Sequence, residues 1–423
     1  MKSFKFNKFA LVALCSTMAL TACENKSSLD EKQALTKAET TAMLAEKIAK
    51  ETIIIDTHID VPYRLEKKYE DVSKATLAGD FDYPRAIKGG LNAPFMSIYI
   101  PSKLQKTGGS KALADKLIDE VEAIVKQSPD KFALAYSTKQ VQENFTKGLI
   151  SLPMGMENGS PIEGDLANLH HFYNRGVRYI TLAHAKTNHI SDSSYDKNRP
   201  AQGLTPFGKE LIAEMNNVGM MVDISHVSDQ AFYQVMEISK TPVIASHSSA
   251  RFFTPDFERN MTDDMIKLLA KKGGVIQMTF SGIFTSQKFR EQSDAYKIVE
   301  AEFIKTNNLD KELEADKAKI DAFEETYLVD KPWDVGSLDL VLDHFEHVIN
   351  LVGIDHVGIG SDFDGVSGIL PEALKDVATY PNLIAGLLKR GYSEQDIKKL
   401  LSGNLMRVWQ QVEEYAATHN TQY

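Results

Sequence analysis

The sequence predicts one α/β domain, a (β/α)8 TIM-like barrel carrying a helical insertion. Three features lead to it: short β-branched or apolar runs recur from Thr52 onward, longer helix-like stretches separate them, and no shift in composition marks a second domain. The runs are Thr52–Thr57, Phe95–Ile100, Ile150–Met156, Val177–Ala183, Gly219–Ser225, Pro242–Ser246, Gly274–Thr279 and His356–Ser361. They number eight, the strand count of that barrel. With 423 residues, 43% hydrophobic and 25% charged, the chain has material for a large core and needs no disulfide staples merely to fold.

Ahead of the barrel, Lys2, Lys5 and Lys8 precede an uncharged run from Phe9 to Leu20, then Thr21-Ala22-Cys23 and a polar stretch. That order reads as a secretory signal, and the run is shorter than the roughly 20 residues of a membrane-spanning helix. Leu20-Thr21-Ala22-Cys23 resembles the bacterial lipobox, which implies removal of residues 1–22 and acylation of Cys23. The expected location is therefore the bacterial cell envelope, lipid-anchored. With Glu24 rather than Asp after the cysteine, sorting is expected to the outer membrane if the source is Gram-negative. Cleavage also removes Cys15, so Cys23 is the remaining cysteine and no intrachain disulfide can form. Residues 23–50 read as a tether running into a short helix with Leu44 and Ile48 four apart, residues 51–417 as the barrel domain, and 418–423 as a tail.

Between the strands, Pro206–Val218 shows the helical pattern clearly: Phe207, Leu211, Ile212 and Met215 share a face behind a first-turn proline. Residues 283–335 break the simple repeat. They are charged and helix-prone, and read as an insertion after the seventh strand that forms either a helical lid or wall over the site or, equally, a solvated face with no role. Beyond Asp362, Leu383, Leu387 and Leu388 mark the last helices. Forty-eight basic residues face 58 acidic ones for a net charge of −10, and no dense basic block occurs in the mature chain, so nucleic acid is excluded as a partner.

The chemistry collects where the strands end. The first runs into His58 and Asp60, the third into Glu157, the fourth into His184, the fifth into His226, the sixth into His247 and the eighth into Asp362. In a barrel of this kind those ends converge on one face, where the active site lies. His58 and Asp60 are two apart, so on an extended segment they point the same way. Glu157 could bridge two cations through its two oxygens. A lone strand-end histidine is more often a hydrogen-bonding residue, but His226 and His247 follow neighbouring strands in register. Nitrogen and carboxylate ligands without thiolate suit Zn²⁺ first, with Mn²⁺, Co²⁺ and Fe²⁺ open.

Several motifs carry a resemblance to a known family: Ile55-Asp56-Thr57-His58-Ile59-Asp60, Gly155-Met156-Glu157-Asn158-Gly159, Arg178 through His184, Thr205-Pro206-Phe207-Gly208, Asp223 through Ser228, Ser246 through Ala250, Arg259-Asn260 and Gly360 through Gly365. In order and spacing they resemble the membrane (renal-type) dipeptidase family, metallopeptidases on an amidohydrolase-type barrel, in a bacterial lipoprotein form. The resemblance implies two zinc ions per chain, one on His58 and Asp60, the other on His226 and His247, bridged by Glu157. It implies that His184 and Arg259 contact substrate, His184 also stabilising the oxyanion, and that Asp362 beside the bridging hydroxide moves the proton. Two departures stand out: the stretch between His247 and Arg259 is about one residue longer than in mammalian members, and Glu258 stands where those carry a second arginine.

The implied activity is hydrolysis of dipeptides with a free C-terminal carboxylate, including L-Xaa-D-Xaa. The rivals are another binuclear amidohydrolase acting on N-acyl or cyclic amides, and a non-catalytic peptide-binding lipoprotein. Expected partners are dipeptides, the membrane through Cys23 and, as one possible arrangement, a second copy in a homodimer. The remaining histidines, with Trp333 and Trp409, read as packing or surface residues.

Overall fold

The structure, a computed structural model, describes residues 38–419 except residue 312. The signal segment, Cys23, most of the tether and the end of the tail lie outside the described residues. A helix over 38–51 comes first, with Ala45, Ile48 and Ala49 buried against the barrel. Ten strands follow: β1 Ile54–Ile59, β2 Leu91–Tyr99, β3 Phe132–Leu134, β4 Ile150–Leu152, β5 Met154–Glu157, β6 Val177–Thr181, β7 Met221–Asp223, β8 Ile244–Ser248, β9 Val275–Met278 and β10 Val357–Ile359.

Eight of them form one sheet in the order β1-β2-β5-β6-β7-β8-β9-β10, with parallel neighbours throughout. A parallel bridge from Ile59 to Phe363, with Asp60 N donating to Phe363 O at 2.9 Å, brings the last strand's exit back to the first. The result is the nearly closed (β/α)8 barrel that the alternation predicts.

The run Ile150–Met156 behaves differently from the single strand expected. Pro153 has no N–H to continue a ladder, and the chain changes partners there: β4 pairs with β3 in a separate small sheet, whereas β5 enters the barrel between β2 and β6.

Below the site the barrel is filled by Ile55, Phe95, Tyr179, Met221, Ile244 and Val275, closed by Val408 and Trp409 of the last helix, Asn404–His419. Trp409 is fully buried, its ring 5.2 Å from that of Phe95. Trp409→Ala should lower unfolding stability by about 3–5 kcal/mol, the usual result of emptying a large core site. Urea unfolding followed by circular dichroism measures this; a loss below about 1 kcal/mol would mean the plug is dispensable.

The insertion forms two helices, Gln287–Asn307 and Glu314–Asp330, held together by aromatic contacts such as Phe303 on Phe323 at 4.1 Å and Tyr296 on Tyr327 at 5.2 Å. Among the described residues none of 287–330 lines the central cavity. Phe284 does, just before the hairpin, and Arg290 lies 4.0 Å over the ring of Phe257 beside it. The hairpin therefore flanks the mouth rather than covering it. Its contacts run to its own aromatic core, and a lid would need them to face the cavity.

Candidate metal centre

A cavity of about 690 Å³ opens at the C-terminal ends of the barrel strands, lined on its floor by Asp60, Glu157, His184, His226, His247 and Asp362. His58 closes that floor from beneath, fully buried. Strand direction explains the convergence: Glu157 ends β5, and His226 and His247 each lie three residues past the register pair Asp223–Ile244, so parallel strands deliver all three to one end of the barrel.

Glu157 sits at the centre. Its Oε1 is 3.1 Å from His226 Nε2, 3.3 Å from His247 Nε2 and 3.5 Å from His184 Nε2, while Oε2 is 3.5 Å from His58 Nε2. On the other side of His58, Asp60 Oδ2 lies 3.5 Å from the same Nε2. The Nε2 atoms of His226 and His247 face each other at 2.8 Å. Three overlapping groups result, His58–Asp60–Glu157, Glu157–His226–His247 and His58–His247–Asp362, each with its donor atoms within 4.8 Å of one another.

Electrostatics follow from burial. It pushes His226 and His247 well below the ordinary histidine range and lowers His184, which favours neutral imidazoles with lone pairs to give. Burial also opposes the charge on Glu157, but His184 and His58, with hydrogen bonds from His226 and His247, outweigh it and hold the carboxylate well below its usual value. For His58, Tyr179, Glu157 and Asp60 overcome burial and raise it. Burial pushes Asp362 up to about 8, with Asp60 and Glu157 adding to the effect against His58.

This donor set fits divalent cations. His58 Nε2 and Asp60 Oδ1 are buried without a hydrogen-bond partner, a costly condition for polar groups unless something else engages them. Neutral imidazoles and carboxylates with no sulfur are the ligand types of zinc and related ions.

The backbone bends sharply here. Asn158, His226, Asp362 and Asp364 all have positive φ, at 74°, 67°, 67° and 64°, conformations that non-glycine residues adopt at an energetic cost. Gly365 is needed for a different reason: a Cβ there would lie 2.3 Å from Asp60 Oδ2 and 2.4 Å from Asp362 Oδ1, so only glycine lets the loop cross over both carboxylates.

Arg259 is buried at the same place. It donates from Nε to His226 Nδ1 at 3.2 Å and from Nη2 to His247 O at 2.7 Å, with Nη2 also 3.1 Å from His226 Nε2; Nη1 has no partner. The departure at Glu258 has a local explanation. That carboxylate takes both terminal nitrogens of Arg199, at 2.7 and 2.6 Å, and accepts from Asp229 N, tying the loop after β6 to the loop after β8. Reading the sequence assigned no role to Tyr63, Lys67, Tyr99, Tyr195 or Asp364, all of which line the cavity. Asp364 lies within the Gly360–Gly365 motif and Tyr99 near the end of the Phe95–Ile100 run. Tyr63 and Lys67 lie on the short helix Val61–Lys67 after β1, and Tyr195 in the long loop after β6; none belongs to a recognisable motif.

A parallel barrel whose strand ends gather imidazoles and carboxylates around one shared acid defines a metal-dependent hydrolase. The model of the membrane dipeptidase family (peptidase family M19) matches residues 43–423, and the chain belongs to that family. It is a metallopeptidase, a dipeptidase by class. It is 31% identical over 349 residues to dipeptidase tcpJ of Claviceps purpurea, covering 81% of this chain and 71% of that one. Among solved structures it resembles the probable dipeptidase PvdM of Pseudomonas aeruginosa, with a TM-score of 0.79, 27% identity and coverage of 89% of this chain and 100% of that one. The fold is also shared with a metallopeptidase of Rhodobacter sphaeroides liganded with a phosphinate mimic of L-Ala-D-Ala, at TM-score 0.68 and 24% identity, covering 85% of this chain and 99% of that one.

Proposed function

We propose that the chain is a zinc-dependent dipeptidase that cleaves dipeptides with a free C-terminal carboxylate, L-Xaa-D-Xaa among them. The observation that carries this is the pair of ligand groups meeting at Glu157, with buried donors left open toward a common point. His58 and Asp60 would hold one zinc ion, His226 and His247 the other, and Glu157 would touch both. Two such ions polarise a carbonyl and lower the pKa of water enough to furnish a nucleophile near neutral pH.

The chain's own groups do the rest. Asp362 accepts the proton of the attacking water and delivers it to the leaving amine. His184, neutral and beside Glu157, donates to the oxygen that becomes negative as the carbonyl carbon turns tetrahedral. Arg259 recognises the C-terminal carboxylate with its planar fork. A neutral imidazole has one bare ring nitrogen, so a cation on His226 Nε2 would put the proton on Nδ1 and exclude donation from Arg259 to either nitrogen. Loading would therefore release Arg259 from both ring nitrogens and free it for substrate. Anchoring through a lipid on Cys23 in the cell envelope belongs to the same proposal; no described helix is long and apolar enough to cross a membrane.

One experiment tests the activity. Chelator-treated protein is titrated with zinc while hydrolysis of L-Ala-L-Ala, L-Ala-D-Ala and their C-terminal amides is followed. Activity should return with two equivalents, and amidation should lower kcat/KM by about 10–100-fold, the worth of charged hydrogen bonds. Equal hydrolysis of acids and amides, or turnover indifferent to metal, would sink the reading.

A further inference from the structure

We infer that Tyr179 and Ser246 are positioning residues, each fixing the tautomer of one histidine so that its Nε2 lone pair faces the metal centre. The inference rests on the binuclear reading above and adds to it the groups that make two of its ligands competent.

Tyr179 stands in β6 with its side chain inside the barrel. Its hydroxyl is 2.9 Å from Thr57 O and 2.9 Å from His58 Nδ1. A phenol has one proton, and a backbone carbonyl can only accept. With that proton given to Thr57 O, the phenol oxygen must accept from His58, which places a proton on Nδ1, so the neutral imidazole that would bind a cation is bare at Nε2. That is the atom found buried without a partner between Asp60 and Glu157.

The same logic holds on an independent chain of groups. Ser246 Oγ donates to Asp223 Oδ2 at 2.6 Å and lies 2.9 Å from His247 Nδ1. A carboxylate also only accepts when ionised, so His247 donates to Ser246 and its Nε2 is left free. Asp223 is held in place by Thr181, by the N–H and hydroxyl of Ser225 and by Ser246 N. Outer partners of this kind orient metal-binding histidines and set their tautomer.

The barrel is built to admit the phenol. Gly155 of β5 is the register partner of Tyr179, and a Cβ on Gly155 would lie 2.0 Å from Tyr179 Cζ. The glycine in the Gly155-Met156-Glu157 motif thus leaves space for a ring from the next strand to reach His58.

Tyr179→Phe keeps the ring and its contact with Phe95 at 5.5 Å, removing only the hydroxyl. Zinc competition against a chromophoric chelator, resolving two dissociation constants, is the primary measurement on the parent, Tyr179→Phe and Ser246→Ala. The second is the His Nδ1–H proton signal of the zinc-loaded proteins and its protection from solvent exchange. Each substitution should weaken one of the two zinc sites by about 10–100-fold and remove exchange protection from its own histidine, leaving the other site's signal in place. Affinities within twofold of the parent, or protected Nδ1–H signals that persist in the variants, overturn the inference while leaving the binuclear reading intact. A parent that binds no zinc overturns both.

Discussion

Glu157→Gln is expected to abolish dipeptide hydrolysis and to halve the zinc content of the purified protein. The substitution is nearly isosteric, so the loss comes from charge. Among the described residues Glu157 is the one acid within 3.5 Å of four imidazoles, three at Oε1 and His58 at Oε2. Removing one partner of a buried charged set costs about 3–5 kcal/mol, equivalent to roughly 10²–10⁴ in metal affinity. Inductively coupled plasma mass spectrometry of the dialysed variant, beside its melting curve, separates lost metal from lost fold. Two retained zinc ions with parental turnover would remove the bridging role altogether.

Asp362→Asn should act on the chemical step and not on loading. An amide of the same shape keeps the backbone bond from Asp362 N to His58 O at 3.2 Å but cannot carry a proton between water and amine. General acid–base groups contribute about 10²–10⁴ in rate, so kcat should fall by that factor with zinc content and KM near those of the parent. The competing role for Asp362, a third ligand beside His58 and His247, predicts metal loss instead. Steady-state kinetics with metal analysis on one preparation decides between them.

Much of this site was legible before any coordinates. Strands in a parallel barrel are buried on both faces, so their apolar runs stand out, and the first polar residue beyond each run falls on the catalytic face. His58, Glu157, His226, His247 and Asp362 were found that way, because position along a strand fixes position in space. Two kinds of feature escaped. Pro153 splits one run between two sheets, and which side keeps the barrel depends on the partners offered by β2 and β6, which no local pattern encodes. Tyr179 lies inside the apolar run of β6 and not at its end, so no strand-end signal marks it; its link to His58 spans 121 positions and depends on the space left at Gly155. The insertion read as helical from composition, but its placement beside the mouth depends on contacts such as Arg290 on Phe257.

The left-handed turns at Asn158, His226, Asp362 and Asp364 have a consequence for how such a protein ages under selection. At each, glycine would relax the backbone while deleting a side chain that the cavity uses or that anchors its rim. At Asn158 and Asp364 the loss would also cost the fold its bonds to Ile100 O and Arg64, so laboratory evolution for thermostability without an activity screen would favour glycine only at His226 and Asp362, yielding robust but inert barrels. The reactive floor is thus the part of the molecule where durability and turnover pull in opposite directions.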